Sequence, residues 1–295
     1  MVPICIFTYK RQASLKMLVA SLLRNKECSL TDVFVFCDNA KDVSEQHLVD
    51  DVRSFCHNIN GFKSVKVILS ECNKGLAKSI IDGVSLVLED HGAAIILEDD
   101  LIVSEGFISF MNTGLAEYSD DVNVMSICGF SKTIPKVILG DNDPVYFHGR
   151  SSSWGWATWR DKWNQVDFNY VYSLGRVEKW LMYLRLFLLA PDLPLMMRAQ
   201  RKGIINSWAV RYVEAQSRIK MISLFPRHSL VENTGFDQDA TNCDLNVGFD
   251  TSFSVDNKVS HQGFGTRPLG RVKSYIWISE AANGIARKLK RMSRM

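Results

Sequence analysis

Hydrophobic and polar positions along the first hundred residues alternate in the pattern of strands followed by amphipathic helices. Short apolar runs predict four strands, at residues 2–7, 32–37, 65–69 and 93–97. Between them, apolar residues three and four apart predict helices, the first carrying Leu15, Leu18 and Leu22 on one face. Alternating strands and helices indicate an α/β fold with a mostly parallel sheet and right-handed crossovers.

The fourth predicted strand ends at three consecutive carboxylates, Glu98, Asp99 and Asp100. The apolar run before them predicts a strand that is buried on both faces. Adjacent negative charges repel, but Mg2+ and Mn2+ prefer carboxylate oxygens and often bridge to substrate phosphates. Ligands of open α/β sheets bind outside the carboxyl ends of the strands. The triplet therefore predicts either a metal and phosphate site or an acidic turn without a ligand.

The second half continues with helices and strands of less regular spacing. Helices are predicted at 106–118, at 177–202 with a break at two prolines, and from residue 206 onward. Strands are predicted at 123–128 and 221–225. The segment 226–239 is rich in turn residues and polar, which is more typical of a binding loop than of a core element.

Four of the seven tryptophans lie between Trp154 and Trp163. Their spacing matches neither one helix face nor strand alternation, so we predict a loop that leads into a helix. Such side chains either form a small aromatic core or provide a surface on which sugars and bases stack. Both interpretations stay open at the level of sequence.

The net charge of +3 is unevenly distributed along the chain. From Arg267 onward there are eight basic residues and one acidic residue, whereas acidic residues outnumber basic ones in the rest of the chain. Apolar residues at Tyr275, Ile278, Ala282 and Ile285 predict an amphipathic basic helix in this tail. Such a helix is typical of binding to an anionic membrane surface or a partner helix, with a solvated tail as the alternative. The acidic body argues against nucleic acid as a partner.

Several common sequence motifs are missing from the chain. The seven cysteines are scattered and form no CxxC motif, which indicates reduced thiols, and the N-terminal residues lack the basic region of a signal peptide. We therefore expect a cytoplasmic protein. No GxGxxG follows the first strand and no GxxxxGK[ST] occurs, which argues against dinucleotide-binding and P-loop proteins.

Five stretches, in order along the chain, resemble motifs of glycosyltransferases of the GT-A fold. Within that fold, the stretches most resemble a bacterial branch that is related to family 2 enzymes and to N-acetylglucosaminyltransferase I. The stretches are PICIFTYKR at 3–11, NKGLAKSIIDG at 73–83, IILEDD at 95–100, SWGW at 153–156 and SLVENTGFD at 229–237. The resemblance implies a Rossmann-like, mostly parallel sheet flanked by helices. It also implies a nucleotide-sugar-binding half at 1–128, an acceptor-binding half at 129–266 and a basic amphipathic tail at 267–295.

The resemblance implies that the first half binds a nucleotide sugar, with a UDP-sugar as the expected donor. Asp100 would bind Mn2+ or Mg2+ directly, with His148 or His228 as a further ligand. A metal that bridges both phosphates would offset the charge on the departing nucleotide diphosphate. The residues expected to bind substrate are Trp154, Gly155 and Trp156. The residues expected on the nucleotide and its diphosphate are Thr8, Tyr9, Arg11, Asp38, Lys74, Gly75, Lys78, Glu98 and Asp99.

Transfer with inversion requires a carboxylate that deprotonates the acceptor hydroxyl. The resembling enzymes commonly carry it in an acidic dipeptide at a helix start in the second half, but residues 206–209 here are Asn-Ser-Trp-Ala. Asp161, Asp237 and Asp239 are the remaining candidates, and Asp237 is preferred because it lies in a matched stretch. Retention of configuration, which needs no separate base in some enzymes, stays open.

These observations predict a metal-dependent hexosyl- or N-acetylhexosaminyltransferase that acts on a growing glycan. By resemblance, the acceptor is a lipid-linked precursor of a bacterial surface polysaccharide such as O-antigen or capsule. The basic tail would hold the enzyme on the inner face of the cytoplasmic membrane. Two alternatives remain: a sugar nucleotidyltransferase, whose usual Gly-rich loop is absent here, and a catalytically inactive carbohydrate-binding or scaffold protein.

Overall fold

The computed structural model describes residues 1–139, 143–235, 252–257 and 272–282. Its centre is an eight-stranded sheet flanked by helices, with a separate two-stranded ribbon. The strands are β1 (Ile4–Thr8), β2 (Asp32–Cys37), β3 (Ser64–Leu69), β4 (Ala93–Glu98), β5 (Leu101–Val103), β6 (Val124–Cys128), β7 (Val145–His148), β8 (Trp156–Trp159), β9 (Ile222–Pro226) and β10 (Val231–Asn233). The helices are α1 (Gln12–Leu22), α2 (Gln46–His57), α3 (Leu76–Asp90), α4 (Phe107–Glu117), α5 (Arg160–Trp163), α6 (Arg176–Leu189), α7 (Leu193–Arg201), α8 (Trp208–Arg218) and α9 (272–282).

The main sheet has the strand order β3-β2-β1-β4-β8-β6-β9-β7. The first four strands are mutually parallel, and β6 is parallel to β9. Strand β8 runs antiparallel between β4 and β6, and β7 is antiparallel to β9 at the edge. One continuous sheet therefore joins strands from 1–128 with strands from 129–266. This confirms the predicted α/β class with a mostly parallel, helix-flanked sheet.

Helices α1, α2 and α3 connect the parallel strands as predicted. A short 3-10 turn at Val43–Glu45 precedes α2, and the Asp42 side chain caps this turn by accepting from the Ser44 amide. The buried face of α2 consists of Val49, Val52 and Cys56. Gly75 precedes α3 with φ of +72°, a conformation that costs glycine little.

The tryptophan-rich stretch contains a strand that the sequence pattern did not predict. Strand β8 is buried on both faces because it lies between β4 and β6 and is covered by helices on each side. A strand of this kind needs no alternation of apolar and polar residues. Strand β7 and the β5–β10 ribbon, which joins the end of β4 to residues 231–233, were also not predicted.

The core lies on both faces of the sheet. Helices α1, α2 and α4 cover one face, where Leu15, Val52 and Phe107 are buried. Helices α3, α5 and α8 cover the other, through Ile80, Trp163 and other buried side chains. A third cluster joins α6, α7 and α8. Because both faces are covered, the consecutive residues Ile95 and Ile96 are fully buried. Within the described ranges, no helix has the length and apolarity needed to cross a bilayer.

Candidate active site

Three strand ends bring polar side chains to one edge of the sheet. Thr8 ends β1, Asp38 directly follows β2, and Asp99 directly follows β4. In the parallel register, Thr8 lies beside Cys37, and Phe7 lies beside Glu98. The carboxyl ends of β1, β2 and β4 therefore meet, which is where open α/β sheets bind ligands.

Asp99 is held by the loop that follows β1. Its Oδ2 accepts hydrogen bonds from Thr8 Oγ1 at 2.9 Å and from the Tyr9 amide at 3.2 Å, and its Oδ1 accepts from Arg11 Nη2 at 3.1 Å. Burial raises the pKa of Asp99, and the nearby Arg11 charge opposes that shift. The predicted residues Thr8, Tyr9, Arg11 and Asp99 are thus brought together.

Asp100 differs from Asp99 because one of its carboxylate oxygens has no hydrogen-bond partner in the described part of the chain. Its Oδ2 accepts from Arg11 Nη2 at 2.9 Å, whereas its Oδ1 is buried without a hydrogen-bond partner among the described residues. Gly235 packs directly on this side chain: a Cβ at position 235 would lie 2.2 Å from Asp100 Oδ2. Thr234 donates from its amide and its hydroxyl to the Asp100 carbonyl, at 2.8 and 3.0 Å. The segment before Asp237 is therefore fixed against Asp100.

Protonation reduces the repulsion within the acidic triplet. Burial, together with the negative charges of Asp100 and Asp99, raises the pKa of Glu98 to about 8. Near neutral pH Glu98 therefore keeps its proton. Burial would lower the pKa of Arg11, but the charges of Asp99 and Asp100 outweigh it and the net shift is upward. The edge thus consists of two adjacent carboxylates with one guanidinium across them.

Asp38 organises the loop between β3 and α3. Its Oδ1 accepts from the amides of Asn39 and Lys74, each at 2.9 Å, and its Oδ2 accepts from the Gly75 amide at 2.8 Å. The side chains of Lys74 and Lys78 both lie near Asp82, at 3.7 and 3.0 Å. The predicted donor residues of this loop therefore border the same edge, with both lysine side chains at least partly in solvent.

The described residues contain no group of three or more His, Cys, Asp or Glu side chains that could hold a metal ion. The histidines predicted as further ligands lie elsewhere: His148 is buried in β7, and His228 contacts Ser252 Oγ at 2.9 Å. Neither histidine forms such a group with Asp99 and Asp100 within the described ranges. Mg2+ often takes one or two carboxylates and completes its shell with substrate phosphates and water. Asp100 Oδ1, which has no hydrogen-bond partner among the described residues, would fit as one carboxylate ligand of such a cation.

The candidate bases are separated by the fold. Asp161 lies in α5, and the preceding strand β8 pairs Trp159 with Ala93 at the amino end of β4. Its carboxylate therefore lies at the opposite edge of the sheet from Asp100, is largely exposed and pairs with Lys162. This location removes Asp161 as the base. Asp237 and Asp239 lie outside the described residues.

The tryptophans divide between core and surface. Trp156 is 1% exposed and stacks on Trp208 at a centroid distance of 4.9 Å, with Trp163 nearby. It was predicted to contact substrate, but no face of the buried ring is available for stacking. Trp154 is half-buried beside Phe130 and borders a cavity. Gly155 has φ of +60°. It packs so closely on Leu97 and Val231 that a Cβ at this position would collide with Val231.

Sequence reasoning missed several residues in the acceptor half. The cavity of about 230 Å³ beside Trp154 is also bordered by Lys132, Arg150 and Glu280. The buried Glu214 of α8 pairs with Arg185 at 3.3 Å. No motif indicated these residues. Buried charged side chains are usually paired, but this rule identifies a pair only when the burial of its residues is known, and the sequence does not give that burial.

The match to known families agrees with this geometry. A model of the family "Glycosyl transferase family 2" matches residues 4–168, more than half of the chain. No curated protein matches the sequence. The narrower relation to N-acetylglucosaminyltransferase I stays a resemblance of motifs.

Solved structures that match this chain include two of TarS from S. aureus and one of a mannosyltransferase. The first TarS structure has 17% identity and a TM-score of 0.32, covering 48% of this chain and 24% of that chain. TarS 1-349 has 13% identity and a TM-score of 0.41, with coverages of 80% and 61%. The mannosyltransferase PcManGT from Pyrobaculum calidifontis, in complex with GDP-Man and Mn2+, has 10% identity, a TM-score of 0.42 and 73% coverage of each chain. This chain thus spans about a quarter of the first TarS chain.

These structural similarities are too distant to bear on substrates. The family model covers the strands and loops that bring Thr8, Asp38, Asp99 and Asp100 to one edge. The chain therefore belongs to glycosyltransferase family 2.

Proposed function

We propose that this glycosyltransferase uses a divalent metal and a UDP-sugar to extend a lipid-linked precursor of a surface polysaccharide, with inversion at the anomeric carbon. The observation that carries the proposal is the state of Asp100. One carboxylate oxygen pairs with Arg11, and the other is buried without a partner among the described residues. An unpaired buried carboxylate oxygen is costly unless a ligand completes it.

The chain's own residues provide a site for a diphosphate. Asp100 would hold Mn2+ or Mg2+ through Oδ1, and the bound cation would offset the charge of the leaving nucleotide diphosphate. Asp99 is oriented by Thr8 and the Tyr9 amide, so it can accept from a sugar hydroxyl without moving. Arg11 carries a positive charge at the same edge and can contact phosphate oxygens.

The loop ordered by Asp38 would border the nucleoside. Asp38 fixes the Lys74 and Gly75 amides, and this holds the start of α3 next to the ends of β1 and β2. Lys74 and Lys78 extend from that start into solvent, where they would add positive charge near the diphosphate.

Asp237 is our proposed base for the acceptor hydroxyl, and Asp239 is the alternative. Gly235 packs on Asp100, and two residues of chain span at most about 7 Å. The proposal therefore rests on the chain distance from Gly235, and Asp237 itself lies outside the described residues. A carboxylate near Asp100 could accept the proton as the hydroxyl attacks the anomeric carbon.

The exposed surface of α6 supports a peripheral position on an anionic membrane. Its exposed apolar side chains are Val177, Trp180, Leu181, Leu184, Phe187 and Leu188. Phe187 also packs edge to face on Trp277 of α9, and five basic residues follow α9 at 283–295. Apolar side chains next to basic residues complement an anionic bilayer, and exposed tryptophan is favoured at the headgroup level. We place the protein on the inner face of the cytoplasmic membrane.

Release of UDP from a panel of UDP-sugars with Mn2+, with and without acceptor, tests the donor assignment. Asp100→Asn removes the metal ligand with little change in shape, so we expect Mn2+-dependent UDP binding to be lost and UDP release to fall at least about 100-fold. Asp90→Asn, at an exposed position of α3, is the matched control. Unchanged UDP affinity in Asp100→Asn would contradict the assignment. Binding without turnover would indicate an inactive scaffold, and pyrophosphate release would indicate a nucleotidyltransferase.

Vesicle sedimentation tests the membrane assignment. We expect removal of residues 283–295 to reduce binding to anionic vesicles, and Trp180→Ser with Leu188→Ser to reduce binding to neutral and anionic vesicles alike. Val43→Ser, at an exposed apolar position before α2, is the control. If neither change alters binding, this surface does not contact lipid.

A further inference from the structure

A cavity of about 230 Å³ lies between β7, α7, α8 and α9. Trp154 and the hydroxyls of Ser151, Ser152 and Ser153 border it. A half-buried indole beside several hydroxyls is suited to a sugar, because the ring packs on the apolar sugar face while the hydroxyls bond its polar rim.

The cavity also contains a cluster of charges. Lys132 Nζ and the Glu280 carboxylate form an ion pair, and Arg150 Nη1 lies 3.8 Å from Glu280 Oε1. Arg150 Nη1 also donates to Asp192 Oδ1 at 2.8 Å. Glu280 is 8% exposed, so its carboxylate lies inside the protein between two cations.

His148 adds a donor to this cluster. Its Nδ1 accepts from the Arg150 amide at 3.1 Å, so the neutral ring carries its proton on Nε2. That Nε2 is buried without a hydrogen-bond partner in the described part of the chain, and His148 is 2% exposed and borders the cavity. An N–H group buried in this way needs an acceptor.

Glu280 belongs to α9, which covers the cavity from outside. Val272 and Ile276 of α9 pack against Tyr146 and Phe225. Trp277 Nε1 donates to the Phe187 carbonyl at 2.9 Å. Tyr275 of the same helix donates from its hydroxyl to the Thr133 carbonyl at 3.4 Å. Side chains make these contacts, and α9 contributes no strand to the central sheet, so the strand pairing does not depend on them.

The cavity and the donor site share one edge of the sheet. Gly155, next to Trp154, packs on Leu97 of β4 and Val231 of β10. Strand β10 pairs with β5, which begins one residue after Asp100. A sugar on Trp154 therefore lies on the side of the molecule where the donor is proposed to bind.

We propose that this cavity is an acceptor subsite for an acidic sugar, whose carboxylate binds between Lys132 and Arg150 in the place that Glu280 takes in this structure. The inference rests on the proposed function and adds the chemical class of the acceptor. Glu280 competes with the sugar carboxylate, because its own carboxylate already lies between Lys132 and Arg150. His148 Nε2 would be a further hydrogen-bond donor to the bound sugar. The sugar ring stacks on Trp154, and α9 moves aside when the acidic sugar binds.

Titration of the full-length protein with sodium glucuronate, followed by calorimetry, tests this subsite, with glucose as the neutral counterpart. Glu280→Gln keeps the shape of the competitor and removes its charge, so we expect roughly tenfold tighter glucuronate binding than in the wild type. Adding Lys132→Gln to that variant should abolish glucuronate binding. Glu89→Gln, at an exposed position of α3, should behave as the wild type.

The following outcomes decide the proposal. Binding of glucuronate but not glucose, strengthened by Glu280→Gln, supports it. Equal binding of both sugars, or the same glucuronate affinity in wild type and Glu280→Gln, overturns it. Binding of glycerol 3-phosphate without binding of glucuronate overturns the carboxylate assignment and indicates a phosphate-bearing acceptor.

A parallel titration with UDP and Mn2+ separates this proposal from the proposed function. Asp99 and Asp100 are not among the residues that border the cavity, so the variants at Glu280 and Lys132 should bind UDP as the wild type does. Failure of both the wild type and Glu280→Gln to bind glucuronate, with UDP binding intact, counts against the subsite alone. Glucuronate binding in a protein that never binds UDP counts against the donor assignment alone.

Discussion

Arg11 and Asp100 form an ion pair across the edge of the sheet, with Nη2 of the guanidinium 2.9 Å from Asp100 Oδ2. The same nitrogen lies 3.1 Å from Asp99 Oδ1. One side chain from the loop after β1 therefore neutralises part of the charge at the end of β4. Because these groups are mostly buried, their charges are weakly screened by solvent and affect both folding and ligand binding.

Replacement of Arg11 by Met should destabilise the protein and make its stability depend on metal. Asp99 and Asp100 would lose their shared cation, which we expect to cost about 2 kcal/mol. Mn2+ would bind more tightly to the uncompensated carboxylates, so the added metal should raise Tm more in the variant than in the wild type. Thermal unfolding with and without MnCl2 measures this difference. Arg24→Met, at an exposed position after α1, is the control. If Mn2+ raises Tm equally in the wild type and in both variants, Arg11 does not offset the charge of Asp99 and Asp100.

Replacement of Gly235 by Ala should disturb Asp100 without removing any functional group. The new Cβ would lie 2.2 Å from Oδ2 and 2.9 Å from Cγ of Asp100, so that carboxylate must rotate or the chain must shift. We expect Mn2+-dependent UDP binding to weaken at least about tenfold, because displaced ligands lose metal affinity. Calorimetric titration measures the affinity.

Gly92→Ala is the matched control for this change. A Cβ at position 92 meets no atom within 4 Å, so UDP binding should stay at the wild-type level. Equal UDP affinity in Gly235→Ala and Gly92→Ala would mean that the position of Asp100 does not govern donor binding.

Much of the donor half could be predicted from sequence because its signals are local. Strands β2 and β4 follow from uninterrupted apolar runs, and carboxylates at their ends must meet when the strands are parallel. Asp38 and Asp99 could thus be assigned to one edge from their positions directly after these runs. The pattern did not predict what Asp38 binds, because two of its three backbone-amide partners are 36 and 37 residues away.

The acceptor half was predicted less well because its contacts are not local. Strand β8 lies between β4 and β6, so its residues lack the alternation that identifies half-buried strands. The distance between Asp161 and Asp100 depends on β8 being antiparallel to β4, which the spacing of residues does not encode. Likewise, Glu280 meets Lys132 across 148 residues of chain, and neither residue lies in a recognisable motif.

Trp154 and Trp156 should respond in opposite ways to substitution, although they are two residues apart. Trp156 is buried among Trp163, Trp208 and Tyr212, so Trp156→Ala should cost about 3–5 kcal/mol of stability. Trp154 is half-buried at the cavity, so Trp154→Ala should cost roughly 1 kcal/mol and mainly raise KM for the acceptor. Denaturant unfolding and acceptor kinetics measure the two effects. If Trp154→Ala leaves acceptor KM unchanged, its ring belongs to the aromatic core alone.

His148 should make the protein sensitive to mild acid. Burial lowers the pKa of His148 to about 4 from its ordinary 6.5, and the positive charges of Arg150, Lys273 and Lys132 act in the same direction, whereas the Arg150 backbone opposes them. Glu280 is the nearby negative group of the cavity. The lowered pKa means that the unfolded chain takes up a proton below pH 6.5 while the folded protein does not. Stability is therefore complete above pH 6.5 and declines as the pH falls toward 4, by up to about 1.4 kcal/mol per pH unit.

The variant His148→Gln removes this proton uptake, so its stability should change less than that of the wild type between about pH 7 and 5, above the range in which ordinary carboxylates titrate. Urea unfolding at several pH values gives the two slopes. His57→Gln, at the exposed end of α2, is the matched control and should keep the acid sensitivity of the wild type. Parallel pH profiles for the wild type and His148→Gln would mean that the buried ring accepts a proton in the folded protein as readily as in the unfolded chain. In that case His148 would not be held as a neutral ring with its proton on Nε2, and it could not be assigned as a fixed donor of the cavity.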